Sequence, residues 1–111
     1  MGLKNTWRVG REEEDFALAQ LLAKKYTLID RNKKYFGIEV DLVVRDSEGC
    51  LAVVEVKSAP REAFESVRLS QSQRQRYRRV LKYLCEVEPT YGLLVFSDVK
   101  QEIISVHMMF E

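Results

Sequence analysis

Apolar positions recur along the chain in two rhythms, one helical and one alternating. From about Arg11 to Lys25, the residues Leu18, Leu21, Leu22 and Lys25 fall at helical spacing and define one face of a predicted helix. A short strand is predicted over Thr27 to Asn32. Two runs rich in β-branched residues follow, Ile38 to Arg45 and Leu51 to Ser58. The Asp46-Ser47-Glu48-Gly49 cluster between them has the composition of a hairpin loop. Pro60 opens a polar connection that reaches Leu69. A second helix begins near Ser70 or Ser72, either of which suits an N-cap. It carries Tyr77, Val80, Leu81 and Leu84 at helical spacing and ends before Pro89. Strands over Tyr91 to Ser97 and Glu102 to Met108 complete the order α-β-β-β-α-β-β. The expected fold class is therefore α/β, a mixed sheet flanked by helices, with residues 1–111 forming one domain.

Composition changes this picture little. With 46% hydrophobic and 32% charged residues, the chain reads as an ordinary soluble globular protein. No apolar run approaches the ~18–20 residues that span a bilayer. The start of the chain carries no apolar secretory segment, so a cytoplasmic location and no membrane partner are expected. Cys50 and Cys85 have neither metal-ligand spacing nor disulfide-framework density and read as free thiols. The lone His107 reads as a packed or surface residue. Net charge is only +1, but between Arg61 and Lys82 seven cations face two glutamates. Such a local basic patch can engage phosphates, although a charge run also describes a solvated helix face.

The hairpin carries the candidate chemistry. If its loop centres near Glu48, Asp41 lies opposite Glu55 and Glu39 opposite Lys57. Strand alternation then puts Glu39, Asp41, Val43, Val53, Glu55 and Lys57 on one face, and Ile38, Val40, Leu42, Val44, Ala52, Val54 and Val56 on the other. A one-residue slip would expose that apolar face, which favours the register. Two carboxylates directly opposite each other repel. A divalent cation would relieve the repulsion and turn the pair into a binding site. Oxygen-only ligands suit Mg²⁺ or Mn²⁺, ions that polarise phosphoryl oxygens and activate water. Lys57 points to the same side, where it could orient water or stabilise charge in the transition state. The competing reading is a solvent-facing set of charges, with Glu39 and Lys57 forming a weak surface pair.

In the acidic run Glu12-Glu13-Glu14-Asp15, only Glu14 shares the core-facing stripe, between Leu18 and Leu21 in direction. A carboxylate so directed needs a partner, and a metal cluster would supply one. Glu12 and Glu13 read instead as acids complementing a helix N-terminus. Phe16, with Ala19 and Ala23, points away from the main stripe, as a second packing surface or a dimer contact would require. Gln73 and Tyr77 share a helical face with Leu81 and Leu84. Tyr77 reads as a core aromatic, while Gln73, at the helix start, can reach the hairpin and hydrogen-bond a water or phosphate. Arg74, Arg76, Arg78, Arg79 and Lys82 form the basic helix. Cations near a helix N-terminus oppose its dipole, so either phosphate binding or acidic groups elsewhere must account for them.

Together these residues resemble the PD-(D/E)XK nuclease superfamily. Its acid…(D/E)-x-K signature is matched by Gly37-Ile38-Glu39-Val40-Asp41-Leu42 followed by Val54-Glu55-Val56-Lys57. More closely, the chain resembles the YraN-type predicted endonucleases, relatives of the archaeal Holliday-junction resolvases. That family's first-helix Gly and Glu correspond to Gly10 and Glu14, and its Arg-Asn to Arg31-Asn32. Gln73 through Tyr77 resembles the Gln-x-x-x-Tyr helix motif of RecB-like nucleases. The resemblance runs from about Val9 to Leu84. It departs from the pattern where Glu13 replaces a second Gly, where Ile38 is inserted, and where Ser58-Ala59-Pro60 lacks the usual basic residue.

The resemblance implies a restriction-endonuclease-like fold and Mg²⁺-dependent (or Mn²⁺-dependent) hydrolysis of DNA phosphodiesters, leaving 5′-phosphate and 3′-hydroxyl ends. Asp41, Glu55 and Glu14 would hold the metal, with Lys57 and Gln73 completing the catalytic set and the basic helix binding nucleic acid. Branched or structured DNA as substrate and a homodimer as working form are further expectations, with RNA left open. The alternative is a catalytically inactive nuclease-fold module that binds nucleic acid or a protein partner.

Overall fold

The computed structural model describes residues 2–66 and 68–110, with side chains described from Gly10 onward. The elements are α1 (Gly2–Ala23), β1 (Thr27–Tyr35), β2 (Ile38–Arg45), β3 (Leu51–Ser58), α2 (Gln71–Cys85), β4 (Thr90–Asp98) and β5 (Ile103–Met108), with a 3-10 turn at Arg61–Ala63 before α2. The expected order α-β-β-β-α-β-β holds, and the two hairpin strands have the expected ends. The strands form one five-stranded sheet in the order β1-β2-β3-β4-β5. Only β3 and β4 run parallel. A parallel pair cannot be closed by a tight turn and needs a crossover, which α2 provides.

The helices cover opposite faces. Ala17 and Leu21 of α1 bury against Leu42, Val44, Ala52, Val54, Leu93 and Val95. Tyr77 and Val80 of α2 bury against Val40, Val43, Val53, Leu94 and Phe96. Restriction-endonuclease-like architecture, a mixed sheet between helices, is what the chain adopts.

Three expectations need correction. First, α1 starts at Gly2 rather than Arg11. Second, Leu22 is 47% exposed and Lys25 lies beyond the helix. The packed stripe is Ala17 and Leu21, one turn apart, with Leu18 at its edge. The chain leaves α1 through a left-handed Lys25 (φ 75), and the amide of Tyr26 donates to the carbonyl of Leu21 at 3.1 Å, a Schellman-type ending. Third, Glu12 to Asp15 are not at a helix N-terminus. They lie well inside α1, where the dipole offers them no stabilisation.

Of the two N-cap candidates, Ser70 is the one used. Its hydroxyl accepts from the Gln73 amide, and the Gln73 side chain accepts from the Ser70 amide, a reciprocal capping box. In the hairpin loop, Asp46 Oδ1 accepts from the amides of Glu48 and Cys50, both at 2.9 Å, and Gly49 takes a left-handed φ of 85. Both cysteines are free and exposed. Among the described residues, no helix is long and apolar enough to cross a membrane.

Candidate active site

The hairpin register pairs Leu42 with Val54 and Val43 with Val53, as the loop position predicted. Its ladder stops there. Beyond Leu42 and Val54, β2 stays paired with β1 and β3 stays paired with β4, so the two middle strands part into a fork. Asp41 and Glu55 are the next residues on either side of it. Asp41 Oδ2 accepts a 2.7 Å hydrogen bond from the amide of Val56, in place of a backbone partner.

The regular alternation expected along β2 does not survive this fork. Ile38 and Val40 pack on the α2 side, whereas Leu42 and Val44 pack on the α1 side. A regular strand would put all four on one face, so β2 turns over at Asp41. Directly across on β1, Asn32 has left-handed backbone (φ 52) between the paired residues Arg31 and Lys33. Asn is among the few residues that tolerate that conformation. The hairpin therefore twists as a unit at Asn32 and Asp41. Glu39, Asp41 and Asn32 come to line a cavity of about 380 Å³ beneath α1, while Glu55 faces α2 and also borders that cavity.

On the α2 side, Glu55 is held by three donors. Tyr77 Oη donates to its Oε1 at 2.5 Å, Gln73 Nε2 donates to its Oε2 at 3.1 Å, and Lys57 Nζ lies 3.5 Å from Oε2. Lys57 also donates to Gln73 Oε1 at 3.1 Å. Gln73 thus does three jobs: it caps α2, fixes the carboxylate and fixes the ammonium. Burial, and then the charge of Glu55, push the Tyr77 phenol well above its ordinary range, so it stays a donor. Tyr77 is 3% exposed and belongs to the core as expected, but its hydroxyl makes it part of the site, a role for which the sequence offered only the Gln-x-x-x-Tyr resemblance.

On the α1 side, Glu14 reaches the cavity as expected, and its Oε1 accepts from Arg31 Nε at 2.9 Å and Asn32 Nδ2 at 3.2 Å. The partner its direction demanded is therefore supplied in part by the Arg31-Asn32 pair. Arg31 also bonds Asp15. Glu13, set aside in sequence, lines the same cavity, and its Oε2 is buried with no hydrogen-bond partner among the described residues. The only sequence signal for it was its replacement of a family glycine.

Burial raises the carboxyl of Asp41, the neighbouring charge of Glu55 raises it further, and the Val56 amide opposes the shift. The net result is a pKa pushed up to about 8. A divalent cation would reverse this by supplying the charge the pair lacks. Among the described residues, no group of three His, Cys, Asp or Glu side chains is arranged to hold a metal. Mg²⁺, however, commonly uses one or two carboxylates and keeps its waters. The all-oxygen pair Asp41 and Glu55, with the orphaned oxygen of Glu13 nearby, fits such a hard ion.

The basic helix divides. Arg74 and Arg78 lie one turn apart with their guanidinium carbons 5.3 and 4.7 Å from the Phe110 ring centre, and both line a groove on the α2 face. Arg76, Arg79 and Lys82 are exposed and lie outside it.

The forked mixed sheet carries an acid on each prong and a lysine two residues after the second, an α/β arrangement that matches the acid…(D/E)-x-K pattern of the sequence. The chain belongs to the family described as "Uncharacterised protein family UPF0102", which matches residues 13–106. It is 39% identical over 99 residues to a UPF0102 protein of Corynebacterium glutamicum, covering 88% of this chain and 76% of that one. It is 35% identical over 75 residues to a UPF0102 protein of Trichlorobacter lovleyi, covering 68% and 59%. Among solved structures, the fold is similar to an FdxN element excision controlling factor protein from Anabaena variabilis. The TM-score is 0.56 with 15% identity, over 87% of this chain and 97% of that one.

Proposed function

We propose that residues 1–111 act as a single metal-dependent endonuclease domain that hydrolyses DNA phosphodiesters, with branched or structured DNA as substrate. The observation that carries this reading is the fork. Asp41 and Glu55 meet where the sheet opens, and Lys57, Gln73 and Tyr77 hold the second acid in place. Surface charges without a function do not require a strand to turn over or a core tyrosine to spend its hydroxyl on one of them.

Asp41 and Glu55 would hold Mg²⁺ or Mn²⁺, with Glu14 and Glu13 bordering the same cavity. Such an ion supplies Lewis acidity to the scissile phosphate and favours ionisation of water. Tyr77 and Gln73 keep Glu55 from swinging toward Lys57 alone, which preserves a free direction on its carboxylate. Lys57 brings a fixed positive charge to the side from which a phosphate would approach, and its ammonium can donate to the attacking water or to a phosphate oxygen. Gln73 orients that ammonium. The exposed Arg76, Arg79 and Lys82 would attract the DNA backbone. A homodimer is part of the same proposal.

The test is Mn²⁺ and Mg²⁺ titration calorimetry on wild type and Asp41→Ala, followed by cleavage of plasmid, nicked and four-way DNA. Metal binding lost in the variant, together with wild-type cleavage yielding 5′-phosphate ends, is the expected result. A second reading, an inactive nuclease-fold module, is favoured by the Arg31 and Asn32 contacts that already satisfy Glu14. DNA binding that is unchanged in Asp41→Ala, with no cleavage of any substrate, would establish it instead.

A further inference from the structure

A second concavity lies on the α2 face, with a volume of about 1070 Å³. One wall is the segment between β3 and α2, which contributes Arg61, Phe64 and Arg68, and the other is α2, with Arg74 and Arg78. Its floor is Leu94 and Phe96, and β5 closes it with Ser105 and His107. Four arginines line it against Glu62 and Glu65. Glu62 already accepts from Gln101 Nε2 at 3.2 Å. Among the described residues no ion pair engages Arg61, Arg74 or Arg78. Arg74 and Arg78 are instead held together over one ring, that of Phe110. Two guanidiniums kept side by side without a carboxylate repel each other, and an anion between them would remove the cost.

Partly exposed Phe64 and exposed His107 accompany the charge, both seated on the buried Phe96. Phe64 stacks on Phe96 at 5.4 Å with planes 22° apart, and the exposed His107 packs on Phe96 at 5.4 Å. Cations interleaved with rings suit a single strand, whose bases are free to stack while its phosphates are tracked. A duplex has no unpaired base faces to offer. The sheet register also ties this groove to the fork. Glu55 pairs with Leu94 and Leu94 with His107, while Lys57 pairs with Phe96 and Phe96 with Ser105. Both rows lead from a proposed catalytic residue to the groove across two strand spacings, ~10 Å in all, or about three nucleotide rises.

We infer that this groove binds an unpaired DNA strand leading to or from the cleavage point, so that the substrate class is DNA with a single-stranded segment. The direction of travel rests on the nuclease reading, whereas strand binding itself does not. The test is fluorescence anisotropy of a labelled oligonucleotide of about 12 nucleotides, single-stranded or as duplex, in EDTA so that no cleavage occurs. The proteins are wild type, the double variant Arg74→Gln/Arg78→Gln, the charge-retaining Arg74→Lys/Arg78→Lys, and His107→Ala.

The expected result is single strand bound about tenfold tighter than duplex. The glutamine pair should lose about tenfold, with a salt slope shallower by about 1.4 for two phosphates. The lysine pair should keep most of the affinity, and His107→Ala should lose a few-fold from a different element. Mn²⁺ binding by the glutamine pair should equal wild type. Duplex bound as tightly as single strand would overturn the inference, as would equal losses in the lysine and glutamine pairs or wild-type affinity in both the glutamine pair and His107→Ala. Strand binding without cleavage of any DNA would remove the nuclease reading and leave the groove standing.

Discussion

Asp41→Asn should make this protein more stable at neutral to alkaline pH while removing its proposed metal site. The carboxyl rises from 3.8 to about 8 in the fold, through burial and then through Glu55. Between those values the folded chain binds more protons than the unfolded one, so wild-type stability falls as pH rises and the loss is complete above about pH 8. A shift of roughly four units at 1.36 kcal/mol each sets an upper bound of about 5 kcal/mol. Because Asp41 and Glu55 titrate as a pair, about 2–3 kcal/mol is the expected share for one substitution.

Asparagine cannot ionise, and its carbonyl oxygen can still accept from Val56. At ~4–8 °C per kcal/mol for a domain near this size, the variant should melt on the order of 10 °C higher at about pH 8.5 in EDTA. The gain should vanish near about pH 4. Thermal melts across that range measure it directly. Added Mn²⁺ should raise the wild type and not the variant, because only a ligand that binds the folded form stabilises it. A variant less stable than wild type at high pH, or a difference independent of pH, would refute the reasoning.

Tyr77→Phe keeps the buried ring but strips a donor from Glu55 Oε1. It should cost about 1–3 kcal/mol by denaturant titration and lower cleavage more than it lowers Mn²⁺ affinity. Asn32→Ala should cost about 1–2 kcal/mol at its left-handed backbone. Asn32→Gly should retain the fold better while still losing the contact with Glu14, and paired melts would separate these effects. At Gly92, an added Cβ would lie 3.0 Å from both Cβ and Sδ of Met109, a residue whose amide is bonded to the Gly92 carbonyl. Gly92→Ala should therefore destabilise by about 1–3 kcal/mol in the same titration.

Much of the architecture was legible because turn and cap chemistry is local. Asp46 through Gly49 bounded β2 and β3, and the serines at 70 and 72 marked the start of α2, with the structure selecting Ser70. The reversal at Asp41 was not legible. Val40 and Leu42 are both apolar, so the pattern reads as one continuous face although they pack on opposite sides of the sheet. The cause lies in the backbone angle of Asn32 on the neighbouring strand. Glu13 was missed for a related reason: an acid near an assumed helix start looks explained by the dipole, and the explanation vanishes once α1 extends back to Gly2. Tyr77 was legible as core and not as ligand to Glu55, since spacing gives the direction of a ring but not the partner of its hydroxyl.

The fork also makes the β1–β2 hairpin a lever. Beyond Asn32 and Asp41 its outer half is no longer laced to β3. Its far end rests on α2, where the Phe36 ring meets Tyr83 edge-on at 4.8 Å and Tyr35 lies 6.3 Å from the same ring. The gap between Asp41 and Glu55 is thus set at two points of the hairpin, by the twist at its middle and by an aromatic rest at its tip. Residues that never touch the substrate can tune how far the jaws stand open. A change at Phe36 or Tyr83 would shift the spacing of Asp41 and Glu55 while leaving every charged group of the site in place.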